Sequence, residues 1–99
     1  MVDWRIVSRL RKSRVRREVL EYIVGTYPKG NQISMISKSI NTGYNSVYGA
    51  LEGVKGRYKK ENSLLNLKLV EKEINKDINL YYATSLGVEI WNSCKDLLD

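Results

Sequence analysis

Two short apolar stripes separated by three turn-forming residues dictate most of what this chain can become. Ile33, Ile36 and Ile40 recur at i, i+3 and i+7, and after Asn41, Thr42 and Gly43 the helical spacing resumes with Val47, Ala50, Leu51 and Val54. Two helices this short, joined by so tight a turn, must meet at a steep angle and bury their stripes against each other. Ser37 supplies the small side chain where they cross, and Asn41 falls where the backbone needs positive φ, a conformation asparagine tolerates. The second helix, about residues 44–55, then turns Asn45, Tyr48, Gly49 and Glu52 away from the core.

The flanking segments read as further helices and a hairpin. Val2, Ile6 and Leu10 recur every fourth residue and predict a helix over residues 2 to about 12, although Val2, Trp4 and Ile6 also alternate as a short strand would. As a helix continuing past Ser13, this segment would align Arg5, Arg9, Lys12 and Arg16 in one charged row. Ser13 is equally an N-cap for a helix to about residue 26, with Val15, Val19, Leu20, Ile23, Val24 and Tyr27 as its buried stripe and Pro28 and Gly30 as its stop. Asn31 or Gln32 opens the third helix. After a basic connector, residues 56–63, and Leu64, Leu65 and Leu67, strands over residues 69–74 and 79–83 flank the turn formers Asn75, Lys76 and Asp77. Thr84 caps a last helix with Leu86, Ile90, Cys94 and Leu97 or Leu98 on one side, and Val88 and Trp91 beside them.

At 99 residues the chain has room for one core and hence one domain, residues 1–99. It holds no histidine, which removes the usual imidazole metal ligand, the Ser-His and Cys-His nucleophile pairs and the base that titrates near neutrality. Cys94 stands alone and supports neither a disulfide framework nor a thiolate metal cluster, so it reads as a small buried hydrophobe. We therefore expect no enzyme, no metal and no cofactor. No apolar run approaches the ~20 residues that cross a bilayer, and Asp3, Arg5 and Arg9 occupy the N-terminus in place of an apolar signal core, so a soluble cytoplasmic protein with no membrane partner is expected. Charge is uneven: residues 1–60 carry 13 basic and 4 acidic side chains, residues 61–99 carry 4 and 7. A polyanion suits the first part.

From Ile36 through Ala50 the sequence resembles, without a gap, the helix-turn-helix of winged-helix regulators. The resemblance extends to the run Tyr81, Tyr82, Ala83, Thr84, Ser85, Leu86, Gly87, which looks like the end of a wing and the start of its closing helix. It is similar to archaeal transcriptional regulators of the MarR-like and ArsR-like winged-helix group, in which a Tyr-x-Leu-Thr-x-x-Gly run recurs and a Trp-led basic segment, here begun by Trp4 and Arg5, precedes the first long helix. Asn41 stands where these motifs commonly have glycine, Thr42 where they have an apolar residue, Gly43 where they have Ser or Thr and Ala83 where they have leucine; the connector before the wing is about ten residues longer than usual. The resemblance implies a mostly α fold with a small β-hairpin: a basic N-terminal segment over residues 1–12, a helix-turn-helix over 32–55, a wing over 69–83 and a C-terminal helix over 85–98.

It also implies binding to double-stranded DNA, with the helix that begins at Tyr44 in the major groove. The family's base-reading positions fall on Gly43, Tyr44, Asn45, Tyr48, Gly49 and Glu52. Asn45 pairs with adenine through donor and acceptor together, Glu52 accepts from a cytosine amine, and Tyr44 or Tyr48 meets a thymine methyl or a phosphate; with no arginine on this face, readout leans to A·T or is weak. Phosphate contacts are expected from Arg5, Arg9, Lys12, Arg16, Lys38, Lys55, Arg57, Lys59 and Lys60. Wing residues Glu71, Lys72, Glu73, Lys76 and Asp77 sum to −1 and add little affinity. A homodimer joined through the N- and C-terminal helices on an inverted repeat, associated with the nucleoid, completes the expectation. The alternative is a winged-helix protein-interaction module in a transcription, replication or chromatin assembly.

Overall fold

The computed structural model describes residues 3–54 and 60–98. Helix α1 (Trp4–Arg11) begins at Asp3, whose carboxylate accepts the amides of Arg5 and Ile6, and this cap decides for helix over strand in the first segment. Its far end is closed by the Arg17 guanidinium, which donates to the carbonyls of Leu10 at 3.0 Å and Arg11 at 2.7 Å. Helix α2 (Arg14–Gly25) starts afresh at Ser13, whose hydroxyl accepts the Arg16 amide at 3.2 Å. The two helices are therefore separate, and the expected row Arg5, Arg9, Lys12, Arg16 is broken. Arg16 is only 6% exposed, because it lies four and seven residues before Leu20 and Ile23 on the stripe that α2 buries.

Helices α3 (Ile33–Ser39) and α4 (Tyr44–Glu52) form the expected pair. Asn41 takes φ 54°, and the turn is locked by the Thr42 amide on the Ser37 carbonyl at 3.0 Å and by the Ser37 hydroxyl on the Thr42 carbonyl. Ile36, Val47, Ala50 and Leu51 are fully buried where α3 and α4 pack on each other and on α2. Helix α4 ends earlier than expected because Gly53 adopts φ 81° and ψ 147°, a conformation essentially reserved for glycine. Val54 consequently leaves the stripe and is exposed. The amides of Leu64 and Leu65 donate to the carbonyls of Ala50 and Leu51 at 3.0 and 3.1 Å, satisfying the C-terminal end of α4, and Leu64 is buried there.

Strands β1 (Val70–Asn75) and β2 (Ile78–Ala83) pair antiparallel from Val70 opposite Ala83 to Asn75 opposite Ile78. The turn is the two residues Lys76 and Asp77, both at positive φ, and Asn75 stays in the ladder. Asn31 adds a third, single-residue position beside β2, exchanging two backbone hydrogen bonds of 2.8 Å with Tyr81. Thr84 caps α5 (Ser85–Cys94) as expected, its hydroxyl accepting the Gly87 amide at 2.9 Å and donating to the Lys68 carbonyl at 2.8 Å. Gly87, Ile90 and Cys94 carry the buried side of α5. Leu86 does not join them and is exposed, since Gly87 takes the core position where the helix approaches the Leu69 carbonyl. Among the described residues no helix is long and apolar enough to cross a membrane.

Candidate nucleic-acid interface

The stripe Val47, Ala50 and Leu51 anchors α4, so its opposite side is fixed by helical geometry. Tyr44 is 54% and Tyr48 39% exposed, and Asn45 is open beside them. Gly43 precedes them as an exposed cap. Two expected readers are not available. Gly49 is buried, because its position falls at the edge of the core stripe and not on the outward face. Glu52 is turned onto the hairpin: its Oε2 accepts from Lys72 Nζ at 2.8 Å and from the Tyr81 hydroxyl at 2.7 Å, leaving the side chain 18% exposed. At the other end of α4, a cleft of about 220 Å³ separates Tyr44, Gln32 and Ser34 from Asp77, Ile78 and Asn79 of the wing.

The expected phosphate contacts divide by position. Lys38 is exposed at the end of α3, where its carbonyl accepts the Asn41 amide at 3.3 Å, and so flanks the N-terminal end of α4. Lys60 is exposed in the 3₁₀ turn Lys60–Asn62 and packs beside Gly53, flanking the C-terminal end. Arg5, Arg9 and Lys12 sit on or just after α1, which packs on α2; Arg5 is 3.8 Å from Asp3. Arg16 is withdrawn into the core side of α2. Lys55, Arg57 and Lys59 lie outside the described residues, as does Val2. Two arginines of the basic cluster do structural work: Arg17 closes α1, and Arg11 donates to the Leu97 carbonyl at 2.7 Å, tying α1 to the C-terminal turn.

Burial pushes the Glu52 carboxyl up, but hydrogen bonds from Lys72 and Tyr81 and the charges of Lys72 and Lys60 outweigh it, so the group stays below its ordinary value of 4.5. The Tyr81 hydroxyl is raised by burial and by the Glu52 carboxylate. A carboxyl depressed by folding contributes stability that is present above its ordinary pKa and lost as pH falls below it. Glu52→Gln is thus expected to flatten the acid limb of the stability profile below pH 4.5 while leaving its shape near neutrality intact, as thermal melts across pH 2.5–7 would show. An unchanged acid limb would contradict the ionised clamp.

A profile of the EarA-like family matches residues 6–94. The chain belongs to the EarA-like family. An uncharacterized protein of Methanocaldococcus jannaschii is 34% identical over 95 residues, covering 96% of this chain and 86% of its own length. The crystal structure of MepR, a transcription regulator of the Staphylococcus aureus multidrug efflux pump MepA, superposes with a TM-score of 0.66 over 96% of this chain and 69% of that one, at 12% identity. At that identity the likeness is one of fold, and it makes the EarA-like chain a winged helix: α3 and α4 are its helix-turn-helix and β1–β2 its wing. The resemblance to the winged-helix fold stands, and the family within that fold is EarA-like.

Sequence reasoning missed three residues that shape this face of the EarA-like chain: Asn31, Lys72 and Tyr81. Tyr81 carried a signal, since it alternates with Ala83 and lies on the strand face that Val70 buries. Asn31 looked like a helix opener, and nothing local marks it as the partner of a residue 50 positions later. Cys94 is buried as expected, its thiol donating to the Ile90 carbonyl at 2.8 Å and raised by burial.

Proposed function

We propose that this EarA-like chain is a double-stranded DNA-binding transcriptional regulator, with residues 3–98 as one winged-helix DNA-binding unit and α4 in the major groove. One observation carries the reading: α4 is anchored through a fully buried stripe and presents Tyr44, Asn45 and Tyr48 outward. A groove about 12 Å wide admits one helix, whose N-terminal side chains reach base edges. Asn45 pairs with adenine and the tyrosines meet thymine methyls or phosphates. With Glu52 held on the wing and no arginine on this face, the chemistry favours A·T-rich sites. The likeness in fold to a protein described as a transcription regulator supports the same reading.

Lys38 and Lys60 bracket α4 and contact phosphates on either side of it, joined by Lys55, Arg57 and Lys59 and, at the other end of the molecule's basic half, by Arg5, Arg9 and Lys12. Two copies joined through α1 and α5, with exposed Trp4 and Leu86 among the joining residues, bind an inverted repeat on chromosomal DNA in the cytoplasm. The rest of the exposed side of α5 is polar, with Ser85, Glu89, Asn92 and Ser93, so the joint is a modest one. Fluorescence anisotropy of duplex DNA across 50–300 mM salt tests the proposal: six neutralised phosphates give a log–log slope of about −5. Lys38→Ala and Lys60→Ala are each expected to weaken all duplexes alike and to reduce that slope by about 1. Absent binding at low salt would remove the DNA reading.

The wing favours a second reading. Its exposed tip carries Ile74 and Ile78, and its charges do not favour phosphate, which suits contact with a protein. A flat anisotropy response combined with a stable, salt-insensitive protein complex would support that module instead.

A further inference from the structure

Tyr44, Tyr48 and Glu52 stand four residues apart along α4, and the third is drawn aside by the wing. Its two donors come from different strands: Lys72 of β1 lies directly opposite Tyr81 of β2 in the ladder. Both share the face that carries Val70 and Ala83 into the core, whereas Glu71 and Glu73 lie on the other face. A single carboxylate oxygen therefore joins the last turn of the recognition helix to both strands of the hairpin. A two-stranded hairpin is marginal on its own, and residues 71–79 of this one are exposed. Its direction relative to α4 is set near its base, and Glu52 is the ionised, part-buried group at that junction.

We infer that Glu52 is a positioning residue that fixes the wing against the recognition helix, so that the two meet a duplex as one rigid surface and the wing, though it adds little affinity, sets the preference at the base pairs flanking the α4 site. The inference rests on the DNA-binding reading above. A wing held at one angle meets the same flanking positions in every complex; a loosened wing averages over several and loses its preference there. The α4 contacts through Tyr44, Asn45 and Tyr48 do not pass through Glu52, so preference at the central positions is independent of it.

Two measurements on the full chain test this. Amide hydrogen exchange over residues 71–75 and 78–82, without DNA, reads the clamp; selection from a random duplex pool reads the flanks. Glu52→Gln is expected to speed wing exchange about tenfold, with α2 and α3 unchanged. The exchanged pair Glu52→Lys with Lys72→Glu is expected to restore most of the protection that either single change removes. In the pool, Glu52→Gln keeps the central preference and loses the flanking one. Equal wing exchange in Glu52→Gln and the unaltered chain, or a double exchange no better than the singles, overturns the clamp. Faster wing exchange with intact flanking preference overturns its role in reading. If the unaltered chain enriches no duplex, the DNA reading fails and takes that role with it, while the exchange data still decide the clamp.

Discussion

Replacing Gly87 with alanine is expected to destabilise the chain by about 3 kcal/mol or more, lowering the melting temperature by about 12 °C or more. A Cβ at this position would lie 2.0 Å from the Leu69 carbonyl oxygen and 3.0 Å from its carbon. The obstacle is backbone, fixed by the Thr84 amide on that same carbonyl at 3.1 Å and by the Leu69 amide on the Leu64 carbonyl, also at 3.1 Å. Side-chain rotation offers no relief, so either α5 backs away from the base of the wing or the ladder opens at Val70. Gly25→Ala is the matched control: its Cβ would meet nothing within 4 Å at the end of α2, and it is expected to be neutral or to stabilise by a few tenths of a kcal/mol. Thermal melts by circular dichroism compare the two, and a Gly87→Ala chain that melts with the unaltered protein would contradict the close approach of α5 to Leu69.

Tyr48→Glu is expected to abolish duplex binding while leaving the fold in place. The side chain is exposed in the middle of α4, so the folding cost is limited to repulsion from Glu52 four residues on, about 0.5 kcal/mol, offset in part by the better helix preference of glutamate. At the DNA surface the same change sets a carboxylate against phosphates. Like charges brought together at an interface cost several kcal/mol, which at about 1.4 kcal/mol per decade lowers affinity about 100-fold or more. Tyr48→Phe separates the ring from the hydroxyl: contact with a thymine methyl survives, and a hydrogen bond to phosphate does not. Anisotropy on a selected duplex reads both variants, with circular dichroism confirming the fold. Unaltered affinity in Tyr48→Glu would mean that α4 faces something other than DNA.

What the sequence made legible was local. The stripes of α3 and α4, the turn at Asn41 and the caps at Ser13 and Thr84 depend on neighbours within four residues, and each was readable from spacing and residue type. What escaped depends on partners far along the chain. Glu52 looked like a base reader because helical geometry points it outward; only the hairpin, returning 20 and 29 residues later with Lys72 and Tyr81, shows that the outward direction is occupied. Gly87 was placed on the right helix, but the close approach of Leu69 that buries it has no local mark; Gly49 was read as outward although it lies at the edge of the core stripe. Arg16 misled by residue type: its spacing from Leu20 and Ile23 put it on the buried stripe, and its charge drew it into a solvent row that the break at Ser13 prevents. Just past the long connector, the backbone amides of Leu64 and Leu65 close α4, a contact with residues 14 positions earlier that no local pattern marks.

The most direct test of α4 as the DNA-reading helix is a titration of ¹⁵N-labelled protein with a duplex selected from a random pool, followed by backbone amide shifts. The largest changes are expected on Lys38, Thr42, Tyr44, Asn45 and Tyr48, at the turn and along the open side of α4. Large changes confined to α5 and the wing tip, with the amides of residues 42–48 unmoved, would contradict that role.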